Sequence, residues 1–282
     1  MRFIHLVLAV LAALILGACD PRPAAPTAAA PAGGDLLAKV RAAGVMRVGV
    51  KADAPPFGMR RGGTLVGFDI DLAHAIAARL GIAKVELVPV NSDERSDRLV
   101  AGEVDCVIAS MTITRYRERR VDFSIPYFQD GAAFLVKADS PIQSYMELAG
   151  RAVGCVKGSS SSYYLTQVAP DAKRELVPGF NDLRAALDAG TVEAVMSDRL
   201  LLIGLMQQAD AKDRYRIAGA NVTVEPYGIA VPQNQSAWRN AINHALCELW
   251  EGGEWRQIAD TWFGPGTPYE GQADFALPVY PR

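Results

Sequence analysis

The sequence predicts an α/β fold built on open sheets, and three observations carry that expectation. Short apolar runs alternate with segments of helical periodicity. The alternation begins again near residue 152 after a first pass. Half of the residues are hydrophobic while 21% are charged, enough for one or two packed cores. A strand–helix rhythm favours sheets with helices on their faces, and ligands on such sheets bind beyond the carboxyl ends of the strands.

The N-terminus predicts an exported, lipid-anchored chain. Arg2 precedes an apolar run from Phe3 to Leu16, 14 residues broken only by His5. That length suits a signal peptide and falls short of the roughly 20 residues needed to span a bilayer. Leu16-Gly17-Ala18-Cys19 resembles a bacterial lipobox, which implies acylation of Cys19 and removal of residues 1–18. Asp20 after the cysteine resembles an inner-membrane retention signal. We expect a periplasmic location on the outer face of the inner membrane. Pro21, Pro23, Pro26 and Pro31 among alanines read as a semi-extended tether, assigned with Cys19 to residues 19–38.

Along the body, Met46–Val50 and Lys84–Val90 read as strands. Between them Leu72, Ala73, Ile76 and Leu80 share a helical face, with Asp69 or Asp71 near the N-cap. Asp105–Ala109 is a further buried run. The second pass gives strands at 152–156, 173–177 and 192–196, with a helix over 181–189. Trp238, Ile242, Leu246 and Leu249 mark an amphipathic helix, a second helix continues to Phe263, and the last twenty residues read as an extended surface tail.

Charge and cysteine usage narrow the function. The formal charge is −2 for the whole chain and −3 once Arg2 leaves with the signal, which offers nothing to a polyanion; no nucleic-acid partner is expected. Cys106, Cys155 and Cys247 are an odd set without CxxC spacing, and His5, His74 and His244 are scattered. No metal and no cofactor are expected. Cys106 and Cys155 lie in strand-like runs and read as small core residues.

Three loops at strand ends hold most of the polar groups: Ser110-Met111-Thr112-Ile113-Thr114-Arg115-Tyr116-Arg117, Lys157-Gly158-Ser159-Ser160-Ser161-Ser162 and Ser197-Asp198-Arg199. A glycine–serine loop entering a helix presents free backbone N–H groups and suits an anion, although the same residues also make plain turns.

Val48-Gly49-Val50-Lys51, Pro56-Phe57-Gly58, Gly67-Phe68-Asp69-Ile70-Asp71-Leu72, Gly102-Glu103-Val104-Asp105, Thr112-Ile113-Thr114, Arg117 and Val121-Asp122-Phe123-Ser124 run in order. Leu148-Ala149-Gly150, Gly158-Ser159 and Pro226-Tyr227-Gly228 follow. This set resembles the amino-acid-binding periplasmic solute-binding proteins of ABC importers, bacterial solute-binding protein family 3, over roughly residues 40–264, and most closely members that bind aspartate and glutamate. The resemblance implies a two-lobed, type II periplasmic-binding-protein-like α/β fold with two crossover strands. Lobe 1 would hold 39–132 and 229–282, and lobe 2 would hold 133–228.

The resemblance also implies roles. Arg117 matches the arginine that holds the ligand α-carboxylate, which a guanidinium fork pairs bidentately. Arg115, Arg119 and Arg120 are assigned to a solvated face. Ser110 and Thr112 match neighbouring ligand contacts, Asp198 the carboxylate that receives the α-ammonium, and Ser159 and Ser160 the residues that close from lobe 2. Tyr227 is retained near the hinge. Phe180 departs from a tyrosine found in some aspartate receptors.

Lys51 and Arg95 match cations that acidic-ligand receptors aim at a side-chain carboxylate. With Arg117 and Asp198 they give the cleft a formal +2, which a dicarboxylic amino acid offsets and a cationic ligand worsens. Surface pairing of Lys51 with Asp53, and of Arg95 with Asp93 or Glu94, is the alternative. The expected function is capture of aspartate or glutamate for import by ABC membrane subunits, by a monomer that closes on its ligand about residues 130–131 and 227–228. A glutamine or asparagine receptor, an amino-acid-like dehydratase and a sensory receptor on the same fold are the rivals. Catalysis is not expected, because Asp198, the one matched pocket carboxylate, is committed to the ammonium.

Overall fold

Strand–helix alternation assembles two five-stranded sheets, one per lobe. In the computed structural model, which describes residues 35–208, 213–272 and 275–276, α1 (Leu36–Ala43) leads into β1 (Val45–Val50). A small antiparallel sheet of β2 (Asp53–Ala54), β3 (Gly58–Arg61) and β4 (Thr64–Val66) follows. Then come α2 (Phe68–Arg79), β5 (Lys84–Pro89), α3 (Arg95–Val100), β6 (Cys106–Val107) and β7 (Val121–Asp130).

The second lobe contains β8 (Ala132–Lys137), β9 (Ala152–Val156), α4 (Ser160–Val168) and β10 (Lys173–Val177). It continues with α5 (Phe180–Ala189), β11 (Ala194–Asp198), α6 (Arg199–Met206) and β12 (Tyr215–Ala218). The chain then returns as β13 (Glu225–Pro232), α7 (Ser236–Glu251) and α8 (Glu254–Phe263).

The sheet orders are β5-β1-β6-β13-β7 and β10-β9-β11-β8-β12. Strand β1 runs parallel to β5 and β6, and β9 runs parallel to β10 and β11, so their carboxyl ends point the same way within each sheet. Strands β7 and β13 pair antiparallel and carry the chain between lobes. At Gly131, between β7 and β8, an added Cβ would lie 2.6 Å from Asn221 Nδ2 and from Thr223 O. The two connections pass too close there for any side chain.

The first lobe is held by an aromatic cluster. Phe57, Phe68, Phe128 and Trp255 are buried, with Phe57 and Phe128 centroids 5.2 Å apart and Phe68 and Trp255 5.9 Å apart. Each buried phenylalanine contributes about 1.5–3 kcal/mol by removal from water. Cys106 and Cys155 are buried free thiols in the cores.

Several boundaries depart from the sequence reading. Residues 36–38, assigned to the tether, form the first turn of α1, because the Asp35 carboxylate caps it through Leu37 and Ala38 N–H groups. Strand β11 is shifted to 194–198, which places Asp198 at a strand end. Strand β13 joins the first sheet from Glu225, so Tyr227, assigned to lobe 2, belongs to the first sheet. Asp69 and Asp71 fall in the first turn of α2, near the N-cap Gly67 as expected, although the Asp69 carboxylate turns into the core. The C-terminal segment does not all lie on the surface as a tail. Tyr269 is buried, and the Phe275 ring stacks 6.0 Å from Phe128 and lies 5.6 Å from Trp255. The signal, Cys19 and the tether up to residue 34 lie outside the described residues.

Candidate functional site

The carboxyl ends of β1, β6, β9 and β11 converge where the lobes meet, and the polar loops seen in the sequence lie there. They line a space of about 390 Å3, part of it opening to solvent. Lys51, Arg95, Ser110, Ser159, Ser160 and Asp198 reach its wall, joined by Ser92, Phe180 and Ser197. Thr112 and Tyr227 are not in the wall but meet it through Ser160 and Asp198, and Arg117 donates to Thr112 O. A concave space with convergent polar groups suits a small polar ligand.

The cations are buried: Lys51 is 3% exposed, Arg95 4% and Arg117 8%, whereas Arg115, Arg119 and Arg120 are exposed. Arg117 starts a short 3-10 turn, and its guanidinium donates to Thr112 O at 2.7 Å and to Gly158 O at 3.1 Å. Burial draws its pKa down, against the pull of Glu225 and Asp198. Arg95 Nη1 donates to Ala109 O at 2.7 Å, while its Nε is buried with no hydrogen-bond acceptor. Burial, with Arg117 nearby, brings the Arg95 pKa down to about 9. The Lys51 ammonium pairs with Asp53 Oδ1 at 3.0 Å, and burial lowers its pKa despite that partner. Both arms of the sequence argument hold in part. Lys51 faces the cleft, and it is also an ion-pair partner of Asp53.

The carboxylates are more numerous than the sequence suggested. Asp198 accepts from the Tyr227 hydroxyl and, at 3.5 Å, from Ser161 Oγ. Burial, then Glu225 and Asp130, pushes its pKa well above the carboxylate range. Asp130 accepts from the Gly131 and Leu200 N–H groups, and burial raises it to about 7. Glu225 is fully buried, with one oxygen held by Thr223 Oγ1 and the other without a partner. The expected +2 count therefore changes on both sides: Asp53 and Glu225 oppose the cations, while Asp198 is too strongly raised to count as a full negative charge. Asp198 is one of several buried acids here, so the sequence argument against catalysis, which rested on its being alone, no longer stands by itself.

Contacts between lobes are direct. Thr112 Oγ1 and Ser160 Oγ lie 3.1 Å apart, Asp53 Oδ2 accepts from Phe180 N–H at 2.8 Å, and Lys157 pairs with Asp93 at 3.0 Å. At Gly158, with φ +75°, an added Cβ would fall 2.4 Å from Asp93 Cα, so only glycine permits this approach. Ser159 is the N-cap of α4: its hydroxyl accepts from Ser162 N–H and donates to Val156 O. That commits the Ser159 side chain to the helix.

Asp53, Asp130 and Glu225 do not line the space but act on its charged groups, and sequence reasoning missed them. Only Asp53 left a signal, its spacing from Lys51. Among the described residues no group of three or more His, Cys, Asp or Glu is placed to hold a metal ion, and no helix is long and apolar enough to cross a membrane.

Residues 46–265 match the family described as bacterial extracellular solute-binding proteins, family 3. The chain belongs to that family. A glutamine-binding protein of an ABC transporter from Bacillus subtilis (strain 168) is 34% identical over 91% of this chain and 94% of its own. A glutamine-binding protein from Geobacillus stearothermophilus is 38% identical over 70% of this chain and 76% of its own. Among solved structures, an ancestral arginine-binding protein bound to glutamine is 41% identical, with a TM-score of 0.75, covering 78% of this chain and 98% of that one. The names of these family members do not point to aspartate or glutamate, towards which the sequence motifs leaned.

Proposed function

We propose that this family-3 protein captures a free L-amino acid with a neutral polar side chain, glutamine first, and presents it to the membrane subunits of an ABC importer. Arg117 takes the α-carboxylate together with the N-terminus of α4, and Asp198 takes the α-ammonium. The single observation that carries the choice of side chain is the Lys51–Asp53 ion pair beside Arg95. Lys51 is neutralised, so it brings no uncompensated charge for a side-chain carboxylate to offset. A side-chain amide supplies the acceptor that Arg95 Nε lacks and adds no charge. A ligand guanidinium would face Lys51 and Arg95 in a desolvated site, at a cost of several kcal/mol. The glutamine names of two relatives and the glutamine-bound neighbour support the same reading.

Glutamate is the second reading, favoured by the buried Arg95 with its unpartnered Nε. Calorimetry against the twenty amino acids separates the two. Glutamine is expected to bind at micromolar concentration or below and at least tenfold tighter than glutamate. Glutamate binding tighter than glutamine would reject this choice. Lys51→Met uncovers Asp53, so it is expected to cost glutamate at least tenfold more than glutamine; equal losses would show that the pair does not sense ligand charge.

Lipid anchoring at Cys19 belongs to the same proposal. Cys19→Ala is expected to move the protein from the membrane fraction to the soluble fraction, and an unchanged distribution would remove the anchor.

A further inference from the structure

The loop that follows β6 carries a strained residue at its first site position. Ser110 has φ +42°, in the left-handed region that side chains other than Gly, Asn and Asp rarely adopt. Such strain persists only where surrounding structure holds it. Here the holding group is visible. Ser110 N–H donates to Asp69 Oδ2 at 2.8 Å, and the other Asp69 oxygen accepts from the Tyr127 hydroxyl at 2.9 Å. Asp69 is wholly buried on α2 and does not reach the space between the lobes.

Resting on the amino-acid-capture reading above, we infer that Asp69 is a positioning residue: its carboxylate pins the Ser110 backbone in the left-handed conformation and so presents the ligand-facing loop. The consequences run both ways along the chain. On one side, Ala109 O is fixed where it accepts from Arg95 Nη1 at 2.7 Å. On the other, Thr112 is placed so that its carbonyl receives Arg117 Nη1 at 2.7 Å and its hydroxyl meets Ser160 Oγ. One carboxylate thus sets the loop between the two arginines without touching ligand. Asn at position 69 would keep the pin, its Oδ1 accepting from Ser110 N–H and its amide N–H donating to the Tyr127 hydroxyl, whereas Leu has a similar branched shape and no acceptor for either contact.

A double-mutant cycle on the full chain, titrated with L-glutamine, reads this directly. Asp69→Leu is expected to weaken binding at least tenfold. Ser110→Gly alone is expected to weaken it a few-fold, through loss of the hydroxyl. Glycine adopts positive φ without strain, so Ser110→Gly in the Asp69→Leu protein is expected to recover at least threefold of the lost affinity. A double variant no tighter than Asp69→Leu overturns the inference, because Asp69 would then matter only as a packed core group. If Asp69→Leu does not fold alone, recovery of folding and binding by added Ser110→Gly supports the inference, and failure of the double variant to fold overturns it.

Amide exchange at Ser110 in the absence of ligand supplies a readout independent of the function. Strong protection lost in Asp69→Leu supports positioning, and unchanged protection overturns it. If the unsubstituted protein binds no amino acid while Ser110 exchange behaves as expected, the functional reading fails and the positioning role stands.

Discussion

Arg117→Ala is expected to weaken binding of every amino acid by about a hundredfold or more, because it removes a desolvated charge partner from the ligand α-carboxylate. The size follows from burial. An exposed ion pair contributes about 0.2–1 kcal/mol, whereas truncating one member of a buried, hydrogen-bonded charge pair costs roughly 2–5 kcal/mol. Arg117 is of the second kind, with two backbone carbonyls fixing its guanidinium at the meeting of the lobes. The loss should be uniform across ligands, since the α-carboxylate is common to all. Arg115→Ala, a substitution of an exposed neighbour, is expected to leave binding unchanged. Retention of tight binding by Arg117→Ala would place the α-carboxylate elsewhere.

The second large effect concerns pH. In the unliganded protein Asp69 and Asp130 are raised to about 7 and Asp198 is raised well above the carboxylate range, chiefly by burial. The folded state therefore holds protons that the unfolded chain, with carboxyl values near 4, has already released. Stability contributed by these groups is present at low pH and is lost as pH rises from about 4 through 7. The unliganded midpoint is expected to fall by about 5 °C or more between pH 5 and pH 8. Binding runs in the opposite sense. A ligand ammonium beside Asp198 favours its ionised form, so binding releases protons and tightens as pH rises. Asp198→Asn should remove most of that proton release and weaken binding about a hundredfold. A midpoint that rises steadily from pH 5 to pH 8 would show that these acids are ionised in the folded protein.

How much of this was legible beforehand differs between fold and site. Strand 152–156 falls where the apolar run lies, because an interior strand leaves a short buried run with clear ends, whereas 173–177 is an exposed edge strand that carries no such run. The second crossover was misplaced by several residues, since Glu225 and Tyr227 sit in a segment whose apolar pattern suits either sheet. At the site, the residue types and loops were readable, and Arg117 could be separated from its three arginine neighbours through the family motif. The partners of each charge were not. Lys51 and Asp53 are two residues apart, yet only the turn into β2 brings them to 3.0 Å. Asp69 lies near the N-cap of α2 as its chemistry suggests, yet its side-chain partners, Ser110 and Tyr127, lie 41 and 58 residues away. Sequence spacing carries no information on which way such a side chain turns. That is why charge counting along the sequence misses the acids that oppose the cleft cations.

Capture of a zwitterion by Arg117 and Asp198 is tested by titrating L-glutamine alongside two amputated analogues, one without the α-carboxylate and one without the α-amino group. Heat of binding is expected at micromolar concentration or below for glutamine and for neither analogue even at a hundredfold higher concentration. Analogue binding within tenfold of glutamine would contradict such capture, because Arg117 and Asp198 would then not be holding the two ends of a zwitterion.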